Sequence, residues 1–287
     1  MPKTANKPPV VLPGGKVLDF SGPALVMAIV NCNEDSFYAP SRALGDKAVE
    51  KALAAEADGA SIVDFGAESS RPGSSYIDEE EELQRLIPVI KAFRKRSSLP
   101  VSVDTRKALV AGQALDAGAD IINDISGLGD DKEMAALCAE RGAAVVLMHK
   151  RGIPPSMQED PRYDDLVAQL RAWFASAVEH ALAAGICEDK IILDPGIGFG
   201  KSVEDNFEII RRINCFSRLA KTHGKDYPLM AGLSRKSFLG KISSDSLAGT
   251  LAANAAAVMG GADIIRVHDV KEHTELVKVL FALRAGY

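Results

Sequence analysis

Short apolar runs recur along the chain, and most of them end in polar residues. "DGASIVDFG" (58–66), "AGADIINDISG" (117–127), "RGAAVVLMH" (141–149) and "GGADIIRVHDV" (260–270) share one plan. Each has a Gly-Ala step, a short run rich in Ile and Val, then polar side chains. Glycine after a helix end supplies the left-handed residue that closes it. A continuous aliphatic run suits a parallel strand buried on both faces. Four more runs fit the same description: 24–31, 100–104, 190–194 and 227–234. The segments between them read as helices. In 78–96, Asp78 to Glu81 load the first turn and Arg94 to Arg96 the last, which suits the helix dipole. Leu83, Leu86, Ile87 and Ile90 form its apolar stripe, and Pro88 predicts a kink or a helix start nearby. In 164–184, Leu166, Leu170, Phe174 and Ala177 recur at helical spacing, Gly185 is the stop, and Trp173 reads as packing.

Eight strands alternating with helices in 287 residues predict an α/β fold, a single-domain (β/α)8 TIM barrel. An open doubly wound sheet is the structural alternative. Residues 1–23 form an N-terminal extension and 24–287 the barrel domain. Within the extension, "LPGGKVLDF" (12–20) reads as a short hairpin with a Gly-Gly turn that caps the bottom of the barrel.

Composition narrows the function. The net charge of −5 gives no general attraction to nucleic acid. Cys32, Cys138, Cys187 and Cys215 form neither a CxxC pair nor a zinc spacing, so reduced thiols are expected. The N-terminus lacks a signal-peptide core, and no apolar run approaches the ~20 residues of a membrane span. The expected setting is the cytoplasm.

Active-site residues of such barrels sit at the carboxyl ends of the strands. Those ends carry Asn31, Asp64, Asp104, Asn123 with Asp124, His149, Asp194, Ser234-Arg235-Lys236, and Arg266 with His268. For Asp64, Asp124 and His149, a capping role is an equal reading. The full set has the composition of a binding site. Asp104, Asn123, Asp194 and Lys236 suit a flat heterocycle with amino and carbonyl edges, because a carboxylate accepts two parallel N–H bonds. Arg266 and His268 alternate on one strand and so share a face. With Asn31 they suit a phosphate-bearing group, and Asn31 also suits Mg2+, which prefers oxygen ligands. Three loops, 31–43, 66–76 and 234–241, surround this mouth and read as lids or binding loops.

"DPGIGFGKS" (194–202) resembles a phosphate cradle. The P-loop template G-x-x-x-x-G-K-[ST] places its first glycine where Pro195 stands, so it fails. G-x-G-x-x-G fails too, because the third glycine is at 200 rather than 201. The glycines read instead as a tight turn that lets backbone approach a ligand, with Asp194 as its chemically important member.

The ordered motifs "ESSRPG" (68–73), "SVDT" (102–105), "INDISG" (122–127), "LMH" (147–149), "MQEDPRYDD" (157–165), "ILDPGIGFGK" (192–201), "GLSRKSFLG" (232–240) and "RVHDV" (266–270) resemble those of the dihydropteroate synthase family. The resemblance spans nearly the whole chain from about residue 24. It implies condensation of 6-hydroxymethyl-7,8-dihydropterin pyrophosphate with p-aminobenzoate, with Mg2+ as cofactor and a homodimer as the assembly. Pterin binding would fall to Asp104, Asn123, Asp194 and Lys236. Pyrophosphate would fall to Asn31, Arg266 and His268, with Asn31 on the metal. Ser70, Arg71, Pro72, Phe199 and Ser237, beside Lys236, would form the p-aminobenzoate pocket. The implied catalytic set is Asp104, Lys236, Arg266 and His268.

One loop departs from the family's pattern. "NVTPDSF" is typical, whereas this chain has "NCNEDSF", with Asn33 and Glu34 for Thr-Pro and Ala39 for a second aspartate. That difference bears on the lid more than on pterin binding. It leaves a non-catalytic pterin-binding paralogue as an alternative. A corrinoid-linked methyltransferase is the other; it accounts for Asp104, Asn123 and Asp194 but not for "SSRPG", "SRKSF" and "RVHDV" together.

Overall fold

The computed structural model describes residues 7–32, 42–68, 76–152, 161–219 and 225–285. Its strands are β1 (Val10–Val11), β2 (Val17–Leu18), β3 (Leu25–Asn31), β4 (Ile62–Gly66), β5 (Val101–Asp104), β6 (Ile121–Asp124), β7 (Ala144–Met148), β8 (Ile191–Asp194), β9 (Met230–Ala231) and β10 (Ile264–Val267). The helices are α1 (Arg42–Ala57), α2 (Glu79–Arg94), α3 (Ala108–Asp116), α4 (Met134–Arg141), α5 (Leu166–Ala183), α6 (Val203–Arg211), α7 (Ser237–Gly240), α8 (Ser246–Gly260) and α9 (Val270–Ala285). Strands β3 to β10 form one eight-stranded parallel sheet in the order β8-β7-β6-β5-β4-β3-β10-β9. Leu193 pairs with Leu229 across the remaining seam, and its N–H reaches the Pro228 carbonyl at 2.9 Å. The sheet thereby curls into a barrel.

The expected hairpin is present: β1 and β2 pair antiparallel, Val10 opposite Leu18. Val10, Leu12 and Leu18 are buried in one cluster with Met27, Ile62, Ile121, Ala144, Ile192, Met230 and Ile264. These belong mostly to the amino-terminal halves of their strands, so the hairpin seals the end of the barrel opposite the strand-end polar residues. That burial removes apolar surface at about 25 cal/mol per Å2. Outside the barrel, Val63, Phe65, Val101 and Val103 pack against Leu86, Val89, Ile90 and Phe93 of α2.

Helix α2 runs through Pro88 rather than breaking there. Leu86, Val89, Ile90 and Phe93 are its buried apolar residues, and their packing outweighs the ~3 kcal/mol that an internal proline costs. Leu83 and Ile87 sit at the edge of that face, partly buried. Asp78 caps the helix by accepting from the Glu81 N–H at 2.8 Å. The run 227–234 yields only the two-residue β9, because the chain leaves the sheet after Ala231 and turns at Arg235, whose φ is +57°.

Candidate active site

Register sets the site. Asn31 lies opposite Gly66, Gly66 opposite Asp104, Asp104 opposite Asn123, and Met148 opposite Asp194. The expected polar residues therefore form one rim around the carboxyl end of the barrel. Most of them line a cavity of about 440 Å3, a volume ordinary for a small-molecule site; Asp64, Asp124 and His149 do not. Asn31, Asp104, Asn123, Asp194, Phe199, Lys236, Arg266 and His268 all contribute to its walls.

Arg266 reaches across the floor between two carboxylates. Its Nε donates to Asp64 Oδ2 at 2.6 Å and its Nη2 to Asp104 Oδ2 at 2.8 Å. Burial pulls the guanidinium down, but Asp64 and Asp104 outweigh it and hold Arg266 above the ordinary arginine range. Asp104 is pushed up to about 7 by burial, with Arg266 opposing. Two carboxylates sharing one cation leave the nearer-to-solvent acid ready to take a proton. Asn123 Nδ2 donates to Asp64 Oδ2 at 3.2 Å. The Asn123 carbonyl oxygen is buried without a hydrogen-bond partner among the described residues. A buried acceptor on a cavity wall is an open position for a ligand N–H.

Asp194 is 4% exposed, and its Oδ1 accepts the Gly196 N–H at 2.7 Å. Burial raises its pKa, while that hydrogen bond and the nearby Lys236 and Lys201 oppose the rise. Lys236 places its Nζ 4.0 Å from the Phe199 ring centroid. Burial draws its ammonium down to about 8, with Asp194 opposing. His268 is neutral: burial and then Arg235 and Arg266 push it down to about 4. The Ser234 hydroxyl accepts the His268 backbone N–H at 3.2 Å and lies 2.9 Å from its Nδ1.

Ile125, Met148 and Phe199 form a small apolar cluster on the same wall. Acceptors on one side, an apolar face beside them and cations across the floor suit a flat, hydrogen-bonding ring joined to an anionic group. Sequence reasoning missed Ile125 and Met148. Their only signal is position, since each directly adjoins a strand-end polar residue. It also missed Glu68, which lines the cavity and accepts from Ile77 N–H (3.0 Å), Arg106 Nε (3.1 Å) and Lys107 Nζ (3.0 Å).

Some expected residues fall elsewhere. Ser70, Arg71 and Pro72 lie outside the described residues, as does the altered stretch 33–41. Ser237 is exposed at the start of α7 and is not among the cavity-lining residues. Asp124 serves the backbone, accepting from Ser126 N–H (2.7 Å), Ser126 Oγ (2.7 Å) and Leu128 N–H (3.0 Å). His149 is buried against Trp173, ring centroids 5.1 Å apart, and against Lys201. Lys201 is itself 2% exposed, so "DPGIGFGKS" offers no lysine to a phosphate.

Comparison with known proteins gives the family. A family model described as pterin binding enzyme matches residues 27–268. The dihydropteroate synthase of Synechocystis sp. is 40% identical over 282 residues, covering 96% of this chain and 96% of that protein. The Yersinia pestis dihydropteroate synthase, solved in complex with a sulfonamide drug, superposes with a TM-score of 0.88 at 37% identity, covering 97% of this chain and 100% of that one. The Burkholderia cenocepacia dihydropteroate synthase, complexed with 7,8-dihydropteroate, gives 0.86 at 36% identity over 97% of each chain. This chain belongs to the dihydropteroate synthase family, the pterin-binding transferases of folate synthesis.

Proposed function

We propose that the chain joins 6-hydroxymethyl-7,8-dihydropterin pyrophosphate to p-aminobenzoate, giving 7,8-dihydropteroate and pyrophosphate. The carrying observation is the shared cavity: Asp104, Asn123, Asp194 and Lys236 stand round its wall, and Arg266 and His268 reach it from β10 and the residue after it. The buried acceptors hold the amino edge of the pterin, and Lys236 donates to its carbonyl or ring nitrogen. The methylene C–O bond breaks and its electron pair leaves with pyrophosphate. The aniline nitrogen forms the new C–N bond and releases its proton to solvent. An electron-rich dihydropterin ring stabilises the methyl cation, so bond breaking runs ahead of attack and no strong general base is required. Arg266, held cationic by Asp64 and Asp104, and the neutral His268 ring stabilise the departing pyrophosphate.

The donor set fits Mg2+. Asn31 is exposed at the end of β3 on the cavity wall. Among the described residues, no group of three or more His, Cys, Asp or Glu gathers to hold a metal by itself. Mg2+ usually keeps several waters and takes substrate phosphates with one or two protein oxygens, commonly carboxylates; the Asn31 amide oxygen would take that place here. When bound, Mg2+ would neutralise charge on the leaving pyrophosphate. Phe199 and the loop carrying Ser70, Arg71 and Pro72, with Ser237 nearby, receive p-aminobenzoate in this reading. A cytoplasmic homodimer completes it; exposed Val279 and Leu283, one turn apart on α9, support an assembly.

The test is pyrophosphate release with both substrates and Mg2+. Release should require p-aminobenzoate, and a sulfonamide should compete with it. No release above background refutes the proposal and favours a binding-only paralogue. Methyl transfer from methyltetrahydrofolate to a corrinoid would establish the methyltransferase alternative.

A further inference from the structure

We propose that Lys201, together with Asn206, is a positioning residue that holds the Asp194–Phe199 wall of the cavity in its ligand-binding shape. The inference rests on the reading of Asp194 as a pterin ligand. Asp194, Gly196, Ile197 and Phe199 all line the cavity, whereas Lys201 and Asn206 stand behind them and are each 2% exposed.

The Lys201 ammonium is committed to the turn. Nζ lies 2.9 Å from Gly196 O, 3.0 Å from Phe199 O, 3.0 Å from His149 Nδ1 and 3.3 Å from His149 O, so its three N–H groups serve four acceptors, with the two His149 atoms sharing one. Gly196 O also accepts the Phe199 N–H at 3.0 Å, closing a four-residue turn. The same glycine presents its N–H to Asp194 Oδ1 at 2.7 Å. Lys201 therefore fixes the residue that orients the Asp194 carboxylate. Asn206 pins the next point along, accepting the Gly198 N–H at 2.7 Å while donating to Ser202 O at 2.7 Å.

Lysine is almost never fully buried without a partner, and desolvating an ammonium costs several kcal/mol. No carboxylate lies within ion-pair distance of Lys201 among the described residues. Carbonyl dipoles converge on it instead; burial draws its pKa down to about 7, with the more distant Asp194 opposing. An apolar side chain would fill the space without that penalty, but it would leave buried carbonyls unpaired and the turn unheld. Lys201 also fixes the state of His149. Burial and the Lys201 charge push His149 down to about 3, so it is neutral. Against the Lys201 ammonium, which has no acceptor, Nδ1 accepts and the ring proton sits on Nε2.

The experiment compares two halves of the substrate by calorimetry on wild type, Lys201→Met and Asn206→Ser. The probes are 6-hydroxymethyl-7,8-dihydropterin and inorganic pyrophosphate with Mg2+. Loss of about one charged hydrogen bond's orientation weakens pterin binding at least ~tenfold in either variant. Pyrophosphate affinity, which depends on Asn31, Arg266 and His268, stays within about twofold. Equal weakening of both probes, or no weakening of pterin, overturns the inference, because a merely structural role produces one of those results. If Lys201→Met does not fold, the same comparison on Asn206→Ser decides. Failure of the wild type to bind the pterin overturns the functional reading instead.

Discussion

Replacing Asp194 with asparagine changes one atom and keeps the shape. In the wild type, Oδ1 is committed to the Gly196 N–H at 2.7 Å, which leaves Oδ2 as the acceptor for a ligand N–H. The amide of the Asp194→Asn variant keeps an oxygen on Gly196 and turns an NH2 toward the pterin's own N–H groups. The exchange removes a hydrogen bond to a charged acceptor, worth about 1.5–3 kcal/mol, and opposes donor to donor in a buried place, about 1–3 kcal/mol more. Together these predict a Kd for the dihydropterin raised roughly 10^2- to 10^4-fold. Folding should respond in the other direction. Burial disfavours the Asp194 charge, and no ion-pair partner within 4 Å among the described residues offsets it, so the neutral amide leaves the ligand-free melting temperature unchanged or higher. Calorimetry with 6-hydroxymethyl-7,8-dihydropterin and thermal melts of the same samples separate the two effects. Pterin affinity within about threefold of wild type in a folded Asp194→Asn variant would falsify the assignment of Asp194 as the ring's anchor.

Two further outcomes rest on named geometry. Asp104 is pushed up to about 7 by burial, with Arg266 opposing, whereas an unfolded aspartate titrates near about 3.9. The native state then holds the extra proton between those values, so this group's stabilisation is present at low pH and is lost as pH rises through about 7. In urea titrations over that window, wild type should lose stability relative to Asp104→Asn by at most ~1.4 kcal/mol per pH unit; parallel curves refute this. At Gly196, φ is +64° and an added Cβ would stand 1.9 Å from the His149 carbonyl oxygen, so Gly196→Ala should lose at least ~2 kcal/mol. Gly232→Ala, whose Cβ meets nothing within 4 Å, is the control, and equal melting temperatures for the two variants contradict the reading.

The barrel is legible because each strand is a buried run with a polar end, and the register then converts eight such ends into one rim. Asp104, Asn123, Asp194, Lys236, Arg266 and His268 follow from that rule alone. What the rule leaves open is which strand-end residue faces the cavity and which faces its own backbone. Asp124 and Asp194 both end strands, yet one caps a turn and the other lines the site; two amides and a serine hydroxyl converge on Asp124, and only the fold shows them. Asp64 is equally ambiguous, because its partner Arg266 lies 202 residues away in the chain. Pro88 misleads in the opposite way, since a local penalty yields to the burial of four apolar side chains. The glycine-rich stretch carries the general lesson. Pro195 excludes a phosphate loop from sequence, but nothing local says where Lys201 points. A lysine beside three glycines is free to turn outward to an anion or inward to carbonyls. It turns inward because the positive-φ glycines aim the Gly196 and Phe199 carbonyls at one buried point, and a cation is the side chain that satisfies several acceptors there at once. The same residues that mimic a phosphate cradle thus make a rigid back wall for a carboxylate, and the anion at this site belongs to the protein.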